Sequence, residues 1–153
     1  MENNLNRFLD IQKENYFIAL REMREGAKRT HWMWYIFPIL KGQGRSPLAL
    51  LYGLVGQEEA KAFLAHPVLG ARLREITDAV LTHQDKPIRS IMGSGADTWK
   101  FQACMTLFDS LSPDDIFAKA LNTFFNGERD KNTNKRIPQI HQAEEECDTL
   151  YPY

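Results

Sequence analysis

Two short segments of the chain carry residue types that could do chemistry. His31-Trp32-Met33-Trp34-Tyr35 sets one ionisable ring among three large aromatic side chains. Desolvation by such neighbours moves an imidazole pKa toward the range useful for proton transfer, which makes His31 the candidate catalytic acid or base. The flat faces of Trp32, Trp34 and Tyr35 could also stack a planar ring such as a nucleobase. Shortly after comes Gly42-Gln43-Gly44-Arg45-Ser46-Pro47. There Ser46 is placed to cap a helix whose first turn holds Pro47, and Gly44, Ser46 and the Arg45 guanidinium offer amides and charge suited to a phosphate or carboxylate. Lys28, Arg29 and Lys41 flank the aromatic run, and Lys100 is a further cation able to join them. The expected site is therefore an aromatic pocket of Trp32, Trp34 and Tyr35 rimmed by Arg29, Gly44, Arg45, Ser46 and Lys100. Its ligand would be a small anion bearing a ring, of nucleotide or ADP-ribose type.

The same residues support a second reading. Aromatic-rich runs also form cores in which backbone carbonyls satisfy the His and Trp nitrogens, and the domain would then be a protein-protein interaction module. Other chemistries fail on spacing. Gly42 to Pro47 is no dinucleotide fingerprint, because Pro47 takes the third glycine position, and no Gly-Lys-Ser/Thr follows to make a P-loop. His66-Pro67 has no second metal ligand at i+3 or i+4 and reads as a helix break. Asp130 to Asn134 opens like a calcium loop, but Lys135 stands where Gly is needed and His141 where the bidentate Glu belongs. No metal and no cofactor is expected. Cys104 lies in an apolar run and Cys147 among Glu144, Glu145, Glu146 and Asp148, settings that both disfavour a thiolate nucleophile.

These residues must be positioned by a scaffold, and composition bounds it. At 153 residues and 17.7 kDa the chain is the size of one domain. Its 43% hydrophobic against 25% charged residues suffices for a packed core and argues against disorder. A formal net charge of -1 provides no global field for a polyanion, which argues against nucleic acid as a partner. The most apolar window, Trp32 to Leu40, falls far short of the ~20 residues of a membrane-spanning helix. Met1-Glu2-Asn3-Asn4 lacks the basic start and apolar run of a signal peptide, so a cytoplasmic location is expected, with no membrane partner.

Apolar positions step by three and four from Leu5 to Met23, predicting a helix capped by Asn4 and stopped by Gly26. Trp32 to Phe37 is apolar on every side and is either a buried helical turn or a buried strand. Further helices are predicted from Pro47 to Leu54, Gln57 to Ala65 and Val68 to Val80. Another follows from an Asp97 cap to Leu111, and a last one after Ser112-Pro113-Asp114-Asp115, ended by Asn126-Gly127. No alternating strand pattern appears, so the domain reads as all-α, with six or seven short helices in residues 1–127. Residues 128–153 read as a polar C-terminal extension, a partly docked helix or a loose tail.

The run Arg29 to Pro38, Gly44-Arg45-Ser46-Pro47, Tyr52-Gly53, Phe63 to Gly70, Lys100-Phe101 and Met105-Thr106-Leu107-Phe108 together resemble the signature of a small bacterial and fungal family of unknown function. Its members are often labelled calpastatin. The resemblance spans residues 4–127 and implies a compact, multihelical single domain with no established catalytic residue. Ile39 stands where that family commonly has a Gln, and Ala103-Cys104 where it has small hydroxyl residues.

Overall fold

Leu, Ala, Phe and Met dominate the apolar positions, and β-branched residues are sparse there, a bias toward helix. The computed structural model, which describes residues 4–137, is all-helical. Its elements are α1 (Asn6–Glu25), α2 (Met33–Ile36), α3 (Pro47–Tyr52), α4 (Gly56–Ala65), α5 (Leu69–Leu81), α6 (Ile88–Met92), α7 (Gly95–Leu111) and α8 (Ile116–Phe125). A last helical stretch spans 131–137. Among the described residues the sole β feature is an isolated parallel bridge between Leu40 and Leu54. The helices exceed the six or seven expected because the aromatic run forms the turn α2 and because Ile88 to Met92, where no helix is predicted, coils into α6.

α5 lies against α1, α4 and α8, while α7 lies against α8, α6 and α4, so these two helices form the centre. α1 buries Phe8, Gln12, Tyr16, Ala19, Leu20, Glu22 and Met23 along one face, the three-and-four spacing expected of it. It ends at Gly26 in the left-handed conformation, φ 85°. A side chain there would also collide with His83, since a Cβ would sit 3.0 Å from its ring. At Gly70 a Cβ would lie 2.0 Å from the Leu64 carbonyl oxygen, so glycine is what lets α5 start hard against α4. Edge-on and tilted ring contacts carry the core from Phe8 to Phe63, Phe108 and Phe117. Cys104 is fully buried among them, which pushes its thiol pKa well up.

Helix starts differ from expectation in two places. The N-cap of α1 is Leu5, with no side-chain bond, rather than Asn4. At α7 Ser94 is the cap, its Oγ accepting from the Asp97 amide at 3.1 Å, which places Asp97 in the first turn. Asp115 caps α8, and Asn126 closes it in the left-handed region. Asp130 caps the stretch 131–137, accepting from both N and Oγ1 of Thr133, and Thr133 and Ile137 are buried. Residues 138–153, including Cys147 and the rest of the expected polar extension, lie outside the described residues. No helix among the described residues is long and apolar enough to cross a membrane.

Candidate functional site

The site region is organised by a buried carboxylate. Glu22, 6% exposed on the inner face of α1, accepts from the Arg29 amide (2.7 Å), the Thr30 amide (3.0 Å), Thr30 Oγ1 (2.6 Å) and Trp32 Nε1 (2.9 Å). Burial alone would raise its pKa, but these donors, Thr30 Oγ1 and the Arg29 amide foremost, outweigh it and hold the carboxyl below its ordinary value. The segment from Arg29 to Trp32 thus folds around one negative charge. The cost of burying that charge is offset by four donors.

On the outer side of this segment two ammonium groups share one carboxylate. Lys28 Nζ lies 2.9 Å from Asp97 Oδ2 and Lys100 Nζ lies 3.4 Å from Asp97 Oδ1. None of the three is freely solvated: their side chains are 6%, 12% and 17% exposed for Lys28, Lys100 and Asp97. Both cations also sit over indoles. Lys28 Nζ is 5.2 Å from the Trp32 ring, and Lys100 Nζ is 3.7 Å from the centre of Trp34. The loop before α3 closes the other side, for a Cβ on Gly44 would lie 3.8 Å from the Trp34 ring and 2.9 Å from Ala49 Cβ. That loop is pinned: Gln43 Oε1 accepts from the Leu40 amide, and Gln43 Nε2 donates to Asn132 Oδ1 (3.1 Å) and Thr133 Oγ1 (2.9 Å). Two positive charges against one negative, partly withdrawn from water, is an arrangement able to hold an anion.

The expected site residues divide into three groups. Trp34, Gly44 and Lys100 come together, as just described. Trp32 and Tyr35 point inward. Trp32 is 1% exposed with its N–H bound to Glu22, and Tyr35 is 8% exposed with its hydroxyl pKa raised by burial and by Tyr52 beside it. Arg29, His31, Arg45 and Ser46 lie on the surface. The desolvation expected at His31 is not found: its ring is exposed, and the contact it makes is through its backbone carbonyl, which accepts from Tyr35 Oη at 3.3 Å. The reason is local, because a single helical turn beginning at Met33 directs Met33, Tyr35 and Ile36 inward and leaves His31 before it. Arg29 pairs with Glu25 at 2.6 Å on the α1 surface. Ser46 caps α3, its Oγ accepting from the Ala49 amide at 3.2 Å, but α3 has six residues and a correspondingly weak dipole.

Glu22 and Asp97 are the two site residues whose function the sequence does not announce. Asp97 stands three residues before Lys100, the spacing at which helical side chains meet, and that spacing is the sequence signal for their pairing. A separate open cleft of about 300 Å³, lined by Lys61, Leu64, Ala65, Arg74, Leu111 and Ser112, contains none of the expected site residues.

Comparison with known proteins places the chain without supplying an activity. No curated protein matches it. The crystal structure of the conserved hypothetical protein Rv1873 from Mycobacterium tuberculosis, at 1.38 Å, is similar to it, with 40% sequence identity and a TM-score of 0.82 over 86% of this chain and 94% of that one. A family model described as "Protein of unknown function (DUF1810)" matches residues 2–137, and neither description carries the calpastatin label. The chain therefore belongs to the DUF1810 family, whose function is unknown.

Proposed function

We propose that this protein binds a small anion bearing a planar ring, of nucleotide or ADP-ribose type, on the surface formed by Trp34, Lys100, Gly44 and Arg45. The observation that carries this reading is the charge imbalance around Asp97, where Lys28 and Lys100 share one carboxylate at 2.9 and 3.4 Å. Partly buried charges are normally paired, so the surplus ammonium favours an anionic partner. Lys100 over the half-buried Trp34 supplies a cation and an aromatic edge in one place, and the exposed Arg45 supplies a guanidinium beside Gly44. Arg29 and His31 are exposed on the segment that Glu22 holds. If the ligand is turned over, His31 is the acid or base at hand.

The test is thermal unfolding of the full chain with ADP, ADP-ribose and inorganic phosphate. A ligand at one hundred times its dissociation constant stabilises a folded protein by about 2.7 kcal/mol. The expected result is a rise in Tm for the wild type, abolished by Lys100→Met and reduced by Arg45→Ala. No rise with any of the three probes, or an equal rise in all three proteins, overturns the reading.

A second reading, an interaction module with a structural aromatic core, is favoured by a different observation. Leu48, Leu50, Leu51 and Val55 form a run of half-exposed apolar side chains outside the core.

A further inference from the structure

α3 is built unlike the other helices. Of its six residues Ala49 alone is buried, while Leu48, Leu50 and Leu51 are 43%, 51% and 52% exposed, and Val55 just beyond is 51% exposed. Successive leucines around a short helix cannot all face a core, so apolar side chains are presented to solvent where a charged or polar residue would serve solubility better. Four half-exposed side chains make a patch on the order of a few hundred Å². A stable dimer draws about 800 Å² from each partner. The patch therefore suits a short segment better than a second globular copy.

The chain carries such a segment next to the patch. The stretch 131–137 is fixed to the loop leading into α3: Gln43 Nε2 donates to Asn132 and Thr133, and Arg136 Nη2 donates to the Gly42 carbonyl at 3.2 Å. These bonds hold the stretch 131–137 against Gly42 and Gln43, a few residues before Pro47. The residues that follow are, in order, an acidic block, Glu144-Glu145-Glu146-Cys147-Asp148, and an apolar block, Leu150-Tyr151-Pro152-Tyr153. The surface alongside has the complementary order, the exposed cations Lys41 and Arg45 followed by Leu48, Leu50 and Leu51. Reach is no obstacle. Seven residues from Ile137 to Glu144 can span up to ~23 Å when extended, and α3 is only ~9 Å long. Tethering sets a local concentration on the order of mM, so modest contacts suffice for occupancy.

We propose that residues 138–153 dock in cis on α3, with the Glu144–Asp148 block against Lys41 and Arg45 and the Leu150–Tyr153 block against the leucines. The proposal stands on the leucine face and on the contacts of 131–137 with Gly42 and Gln43; it shares Arg45 with the anion-binding surface but does not require Lys100 or Trp34. The full chain can test it through its own thiols. Cys104 is fully buried, so a nitroxide reagent is directed to Cys147. The expected result is paramagnetic broadening of the Leu48 and Val55 methyl signals, independent of protein concentration, with the exposed Ile18 on α1 unaffected. In the double variant Leu50→Ser/Leu51→Ser, altered only at half-exposed positions, the broadening at Leu48 and Val55 falls severalfold. Replacing Glu144, Glu145 and Glu146 by Lys weakens it too. Three results overturn the proposal: no broadening, broadening unchanged in the double variant, as a tail sweeping freely past its tether would give, or broadening that grows with concentration, as a second copy would give.

Discussion

Arg7 with Glu59, and Lys28 with Asp97 and Lys100, are two clusters of partly buried charge built on different arithmetic. All five N–H donors of Arg7 are engaged: Nε with the Leu51 carbonyl (2.9 Å), Nη1 with the Asn4 carbonyl and Glu59 Oε2 (3.0 Å), and Nη2 with the Gly53 carbonyl (3.0 Å) and Glu59 Oε1. Glu59 in turn accepts from the Val55 amide at 3.0 Å. The charges cancel and the cluster ties α1 to the end of α3 and the start of α4. Around Asp97 one carboxylate meets two ammoniums, and aromatic faces rather than carboxylates complete the surroundings. A balanced buried pair serves architecture; an unbalanced one retains attraction for something from outside.

The contrast can be broken from the structural side first. Removing one partner of a closed buried pair strands the other charge, so Arg7→Met is expected to destabilise the fold by about 3–5 kcal/mol in urea unfolding. A loss below about 1 kcal/mol would mean that the pair is solvated after all. Next in size is Glu22→Gln. It weakens bonds to a charged acceptor, each worth about 1.5–3 kcal/mol, and should release Trp32 Nε1 with a change in indole fluorescence. Unaltered stability and emission would contradict the anchoring of the Arg29–Trp32 segment by Glu22.

Acid should sharpen the same distinction. Glu22 and Glu59 both have carboxyl pKa values held below the ordinary 4.5, burial being more than offset by their donors. A depressed folded value means the unfolded chain binds protons first. The stabilisation is therefore complete above pH 4.5 and lost as pH falls through the folded values. Asp115, drawn down from 3.8 to about 2 by its bonds to Arg74 and Ser112, adds a smaller contribution lost between those two values. Asp115→Asn should flatten only that lowest part of the acid unfolding curve, and an unchanged curve would contradict it. The smallest expected effect is Lys100→Met. Deleting a surplus cation leaves no stranded charge, so stability should stay within about 1 kcal/mol of wild type or rise slightly.

Much of the scaffold could be read from the chain. The spacing of Phe8, Tyr16, Ala19, Leu20 and Met23, the stop at Gly26, the Ser46-Pro47 start and the Asn126-Gly127 end are local signals, and local physics sets them. What could not be read depends on partners far along the chain. Gln12 looks like a lapse in the α1 apolar face, yet it is buried because its Nε2 donates to the Tyr35 carbonyl at 2.8 Å. Asp97 reads as a helix cap until the fold brings Lys28 to it. Within the aromatic run, which indole turns inward is decided by one helical turn, and no periodicity in so short and uniformly apolar a segment distinguishes Trp32 from Trp34.

The central claim is the surplus positive charge left where Lys28 and Lys100 share Asp97, and the most direct test compares phosphate with chloride at matched ionic strength. Phosphate stabilises most proteins by exclusion from their surface, so the informative quantity is the difference between wild type and Lys100→Met. The account predicts that phosphate raises the Tm of the wild type more than that of the variant, with Arg7→Lys retaining the full wild-type response. An identical phosphate effect in wild type and Lys100→Met would contradict it.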